Sequence, residues 1–205
     1  MQNFTRHTGI AAPMLQANID TDAIIPSREM KAVSKHGMAD GLFAGRRYLT
    51  PGERDPNPAF VLNQPAFAGA SILLAGNNFG CGSSREHAVW ALREFGIRAI
   101  LAPGFGSIFF DNCIRNALLP VVLNDADVQA LADQVSAAPA DNPVTVDLQK
   151  QTVSAGQFTR SFVLEENYRQ MLLQGLDPID LTLLHEPAIK KFEEQDRKHR
   201  PWAYS

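Results

Sequence analysis

The rhythm of apolar and polar positions changes twice along this chain, dividing it into three stretches. Residues 27–60 carry few apolar runs and many turn formers, and Pro51, Pro56 and Pro58 fall within eight residues of one another. That density excludes helix and central strand, so the stretch predicts long loops with short helical pieces. Loops of such length in a compact domain usually bind something or move.

From residue 70 the pattern becomes regular. Ser71-Ile72-Leu73-Leu74-Ala75 is an apolar run that suits a buried strand, followed by a glycine-rich turn. Ser83 and Glu86 have the spacing of a capping box, Ala88, Ala91, Leu92 and Phe95 recur on one helical face, and Gly96 supplies a stop. Arg98-Ala99-Ile100-Leu101-Ala102 is the next strand, so residues 71–102 predict a right-handed crossover between parallel strands. The logic then repeats. Ser107 is placed to cap a helix reaching about Ala117, Pro120-Val121-Val122-Leu123 makes another strand, and Asn124 or Asp125 opens a helix whose Val128, Leu131, Ala132 and Val135 share a face. Residues 70–136 thus form a βαβ core. Residues 140–205 predict a two-stranded return at 144–148 and 158–164, then helices near 165–174 and 186–198, with Gly175 ending the first. The expected fold class is α/β, one domain over residues 1–205 with a buried sheet and flanking helices.

Composition narrows the function. A formal charge of -3 with 45% hydrophobic and 20% charged residues leaves no cationic excess for a phosphodiester backbone, which argues against nucleic acid. No window approaches the roughly 18 apolar residues of a membrane span, and no apolar run follows the N-terminal cations as in a secretory signal. The expected location is the cytoplasm, where Cys81 and Cys113 stay reduced. Two thiols are too few for an ordinary iron–sulfur cluster, which takes three or four.

Candidate chemistry concentrates between the first core strand and its helix. Gly76, Gly80 and Gly82 allow a sharp bend that presents amide hydrogens, and a helix N-terminus behind them favours an anion. No lysine follows the glycines as in a phosphate-cradling loop, and the spacing is not the dinucleotide fingerprint. Arg85 can fork onto a carboxylate, with the hydroxyls of Ser83 and Ser84 beside it. From pattern alone Ser83 suits capping the helix better than chemistry, and His87, inside the helix, suits a local hydrogen bond better than catalysis.

Asn77-Asn78-Phe79-Gly80-Cys81-Gly82-Ser83-Ser84-Arg85-Glu86-His87-Ala88 resembles the active-site motif of the aconitase superfamily, in the form carried by isopropylmalate dehydratase small subunits. Further matches, in order, are residues 18–26, 57–63, 118–121 and 175–177, so the resemblance spans nearly the whole chain. It implies a swivelling β/β/α domain like the aconitase C-terminal one. It also implies a hydro-lyase subunit that interconverts 2-isopropylmalate and 3-isopropylmalate through an alkene in leucine biosynthesis. Ser83 maps to the base, Ser84 and Arg85 to carboxylate binding, Asp22 of Thr21-Asp22 to a second catalytic group, and Arg47 to the substrate-recognising arginine. Asp20 reads as a loop carboxylate, and Cys81 as a small residue of the turn. The resemblance assigns a [4Fe–4S] cluster to a large partner subunit, in a heterodimer or heterotetramer, and none to this chain. Around Arg46, Ala44-Gly45 replaces bulkier residues common in the family, which leaves open a paralogue for another hydroxy diacid of citramalate or methylmalate type. A carboxylate-binding module without catalysis is the alternative from a different class.

Overall fold

Strands buried on both faces must be apolar throughout, and Ile72-Leu73-Leu74-Ala75 and Ala99-Ile100-Leu101-Ala102 are fully buried at every position. The computed structural model describes residues 1–30 and 37–204. Its strands are β1 (Arg6–Gly9), β2 (Ala11–Met14), β3 (Ile72–Ala75), β4 (Ala99–Ala102), β5 (Leu119–Val122), β6 (Val144–Asp147), β7 (Thr152–Ala155) and β8 (Phe158–Ser161). The helices are α1 (Thr21–Ile24), α2 (Ala44–Arg47), α3 (His87–Phe95), α4 (Ser107–Arg115), α5 (Asp125–Ala137), α6 (Glu166–Gln174), α7 (Pro178–Leu183) and α8 (Glu186–His199).

The strands make two sheets. One is wholly parallel in the order β2-β3-β4-β5, and the other is antiparallel in the order β1-β6-β7-β8. Pro13 and Pro120 lie in β2 and β5, the two edge strands of the parallel sheet, where a missing N–H costs least. Alternate side chains of each central strand feed two cores. Ile72, Leu74, Ala99 and Leu101 join α5, α6 and the inner face of the antiparallel sheet, while Leu73, Ala75, Ile100 and Ala102 join α3 and the loops before residue 70. Strands β6 and β7 alternate between buried and half-buried positions, as expected of a sheet with one covered face.

The α/β class and the 71–102 crossover match the sequence pattern, and α5 buries Val128, Leu131, Ala132 and Val135 as expected. Three differences stand out. The two-stranded return is part of a four-stranded sheet, because β7 pairs between β6 and β8 and the N-terminal β1 adds to β6. Ser83 and Glu86 form no capping box: α3 starts at His87, its cap residue Glu86 is already helical, and no side chain caps it. Ser107 is the first residue of α4 rather than its cap, which is Gly106. Of the 27–60 stretch, residues 31–36 lie outside the described residues; the rest is loop with single helical turns and α2.

Asn124 does cap α5, accepting the Asp127 amide at 2.8 Å. Asn124→Ala removes that acceptor, and urea denaturation is expected to show a loss of about 1 kcal/mol.

Candidate active site

Parallel pairing aligns the strands' carboxyl ends, and the candidate residues lie just beyond them. The loops after β2, β3 and β4 continue side by side past the sheet, with Asp20 bridging to Cys81 and Phe79 to Phe105. Backbone bonds hold them: Gly80 N donates to Ile19 O at 2.7 Å, Thr21 N to Cys81 O at 2.9 Å, and Gly106 N to Phe79 O at 2.9 Å. Two glycines permit the approach. A Cβ on Gly106 would sit 2.6 Å from Gly80 O, and one on Gly80 would enter the Phe109 ring, whose atoms lie 2.2–2.6 Å away. Gly80 also has φ +73°, a left-handed backbone that side chains resist.

Between these loops opens a cavity of about 460 Å³, lined by residues 78 and 80–83 on one side and 105–109 on the other. Ser83 stands on its rim, exposed, and among the described residues no hydrogen bond engages its hydroxyl. Its carbonyl is held instead, accepting from the buried Thr21 Oγ1 at 3.0 Å and from Arg85 N at 2.7 Å. The backbone is therefore fixed while the hydroxyl stays available. Since capping is not its task, the competition between cap and base that the sequence left open does not arise.

The helix whose first turn lines the cavity is α4, through Gly106, Ser107 and Ile108, and not α3. Its unpaired first amides and positive end face the space in front of Ser83. At the start of α3, Glu86 turns away to accept from Asn116 Nδ2 at 2.7 Å, and Asn116 Oδ1 accepts from Trp90 Nε1 at 3.1 Å. His87 packs on the Trp90 ring at 4.7 Å.

Arg85 and Asp22 form an ion pair through Nη1 and Oδ1, with Asp22 also accepting from Ser27 Oγ at 3.3 Å. Both side chains reach solvent, 24% and 53% exposed, so the pair is weakly held, and the other guanidinium donors remain for a carboxylate. Asp20 caps α1, accepting from Ala23 N at 2.7 Å. Ser84 is exposed between Ser83 and Arg85.

Arg47 is not brought to this group. Its Nη1 donates to Ala39 O at 2.7 Å, and its guanidinium packs over Phe95 at 4.8 Å, at the opposite end of α3 from Arg85. The neighbouring Arg46 instead reaches the loop after β2, donating to Gln16 Oε1 at 2.7 Å. Sequence reasoning missed Thr21, the first turn of α4, and Glu94, whose carboxylate accepts from the consecutive amides of Gly37, Met38 and Ala39 and ties that loop to α3. Gly104 and Gly106, which shape the turn after β4 much as Gly76 and Gly80 shape the turn after β3, were the signal for the second wall.

Residues 1–126 match the aconitase C-terminal domain family, and residues 179–204 match the family of C-terminal domains of the 3-isopropylmalate dehydratase small subunit. A 3-isopropylmalate dehydratase small subunit from Cupriavidus necator is 65% identical over 205 residues, covering 100% of this chain and 99% of that protein. The chain belongs to the 3-isopropylmalate dehydratase small-subunit family. The Agrobacterium fabrum small subunit is 48% identical over 99% of this chain and 100% of its own length. A crystal structure of 3-isopropylmalate dehydratase from Methanocaldococcus jannaschii superposes with a TM-score of 0.66 at 26% identity, covering 91% of this chain and 98% of that one.

For a small subunit of this family, the thiols do not fit a cubane cluster. Cys113 is fully buried in α4, and burial pushes its thiol well above the usual range. Cys81 is then the one remaining thiol, in a loop packed against Gly106.

Proposed function

We propose that this chain supplies the base and a carboxylate clamp to a dehydratase that interconverts 2-isopropylmalate and 3-isopropylmalate. The observation that carries the reading is the uncommitted Ser83 hydroxyl at the 460 Å³ cavity, with Arg85, two residues further along the same loop, ion-paired to Asp22. Ser83 Oγ, as alkoxide, takes the proton from the carbon next to the hydroxyl-bearing one. The neighbouring carbon releases its hydroxyl as hydroxide, and 2-isopropylmaleate forms while Ser83 holds the proton. Re-addition with the hydroxyl and proton exchanged between the two carbons gives the isomer, Ser83 returning the proton. A serine hydroxyl ionises only where positive charge stabilises the oxygen. The first turn of α4 across the cavity and the nearby Arg85 guanidinium supply that field. Arg85 fastens a substrate carboxylate through donors that Asp22 leaves open, and Asp22 holds the guanidinium in place.

The rest of the machinery belongs to a large partner subunit, which in this reading carries the [4Fe–4S] cluster; the pair assembles as a heterodimer or heterotetramer in the cytoplasm. No helix among the described residues is long and apolar enough to cross a membrane.

The test is reconstitution with the large subunit and assay on a panel of isopropylmalate, citramalate and methylmalate. Isopropylmalate is expected to give the highest kcat/KM. Arg85→Lys keeps the charge and loses the fork, and is expected to raise KM about tenfold or more with a smaller change in kcat. An unchanged KM would remove Arg85 from carboxylate binding. A chain that binds these acids but turns none over with any large subunit would support the non-catalytic alternative.

A further inference from the structure

A second cationic site lies at the other end of α3, away from the cavity. Residues 1–5 run across it, pinned by the Met1 amino group on Gly175 O at 2.5 Å and by Phe4 N on Leu172 O at 2.7 Å. Between these pins Gln2 turns its Oε1 onto two guanidinium groups, accepting from Arg93 Nη2 at 3.1 Å and Arg98 Nη1 at 2.6 Å. One neutral oxygen is all the two arginines share. Neither forms an ion pair among the described residues, and Arg93 Nη1 and Arg98 Nε are buried with no hydrogen-bond partner.

Two like charges converging on a carboxamide, with donors left over, make an acceptor-poor environment, because buried guanidinium normally finds a carboxylate or phosphate. The surroundings register the imbalance. Burial and the neighbouring Arg98 push the Arg93 guanidinium down to about 10. Nearby His7, whose Nε2 shares a 2.8 Å hydrogen bond with Ser71 Oγ, is lowered by burial and by both arginines. The Gln2 side chain itself is exposed, so it covers the pair from the solvent side and can swing away.

We propose that Arg93 and Arg98 form a binding site for a small oxyanion, phosphate or carboxylate, which displaces the Gln2 carboxamide and accepts from both guanidinium groups. The anion supplies the charge and the acceptor atoms that the folded chain lacks there. Its occupancy ties the C-terminal end of α3 to the residue before β4, through Arg93 and Arg98.

The test is thermal unfolding of the full chain in inorganic phosphate, and separately in succinate, against chloride at matched ionic strength. Saturating anion is expected to raise Tm by about 5 °C. The rise should persist in Arg85→Gln, which separates this site from the cavity, and vanish in the Arg93→Gln/Arg98→Gln pair. Gln2→Glu provides a built-in carboxylate: without added anion its Tm should rise by about 3 °C, and the anion effect should disappear. A larger effect of phosphate than of succinate, or the reverse, identifies which class the site takes. Equal stabilisation of the parent and the arginine double variant overturns the proposal. So does a Gln2→Glu chain that is no more stable than the parent. If neither anion stabilises the chain but the arginine variants fail to bind the large subunit, the site is an acidic partner's contact and the small-anion proposal is wrong.

Discussion

Ser83→Ala is expected to leave the chain folded and assembled with its large subunit, while turnover in both directions falls by about three orders of magnitude. Folding should survive because the hydroxyl makes no hydrogen bond among the described residues, and the backbone at this point is held by Thr21 Oγ1 and Arg85 N on the Ser83 carbonyl. A methyl in its place disturbs neither bond, so Tm should move by no more than about 1 °C. The base is lost completely. Water can enter the cavity but has no positioned oxygen to replace Oγ, and the positive end of α4 then faces a methyl group. Steady-state kinetics on the purified complex separate the outcomes. A fall in kcat with KM within a few-fold of the parent assigns Ser83 to proton transfer; retained turnover would take Ser83 out of the mechanism and with it the reading of the cavity.

The second large effect is structural. Gly80→Ala should destabilise the chain by about 2–4 kcal/mol, combining a side chain at φ +73° with overpacking against a ring that cannot retreat. Phe109 is 2% exposed and packs edge-on against the fully buried Phe79, with centroids 5.5 Å apart. Relief requires moving α4 or the 78–83 loop, which are the two walls of the cavity. Activity of the reconstituted complex should therefore fall together with Tm, unlike the Ser83 variant, where activity falls alone. Combining Gly80→Ala with Phe109→Leu should recover part of the loss, and a double-mutant cycle measures the coupling. A Gly80→Ala chain as stable as the parent would mean that the close approach of loop and helix does not constrain the site.

The sequence made the walls of this site easier to read than its polarity. Apolar runs at 71–75 and 98–102 become β3 and β4, and the glycine-rich bend between β3 and α3 falls where the family motif places it. The helix that points its positive end into the cavity lies on the other side of that space from the one the bend suggests. The Ser83 to Glu86 spacing is a valid local capping signal, but the Glu86 carboxylate is taken by Asn116, thirty residues away, and α3 begins one turn later. Arg46 and Arg47 illustrate the same limit. Adjacent in a four-residue helix, they point to different neighbours, Gln16 after β2 and Phe95 on α3, and nothing in their immediate sequence distinguishes them.

What the sequence by itself determined is whatever depends on residues a few positions apart. The apolar runs that become β3 and β4, the buried face of α5, the stops at Gly96 and Gly175, and the loop carrying Ser83, Ser84 and Arg85 all belong to that class. Only the tertiary structure decided which groups meet across the chain: β1 joining β6, β7 completing a second sheet, α4 facing Ser83, and Asp22 holding Arg85. The reason is physical. Periodicity and capping are short-range preferences worth a few tenths to about one kcal/mol each, whereas the choice of a distant partner is made by burial and closure of the whole core, which no local window contains.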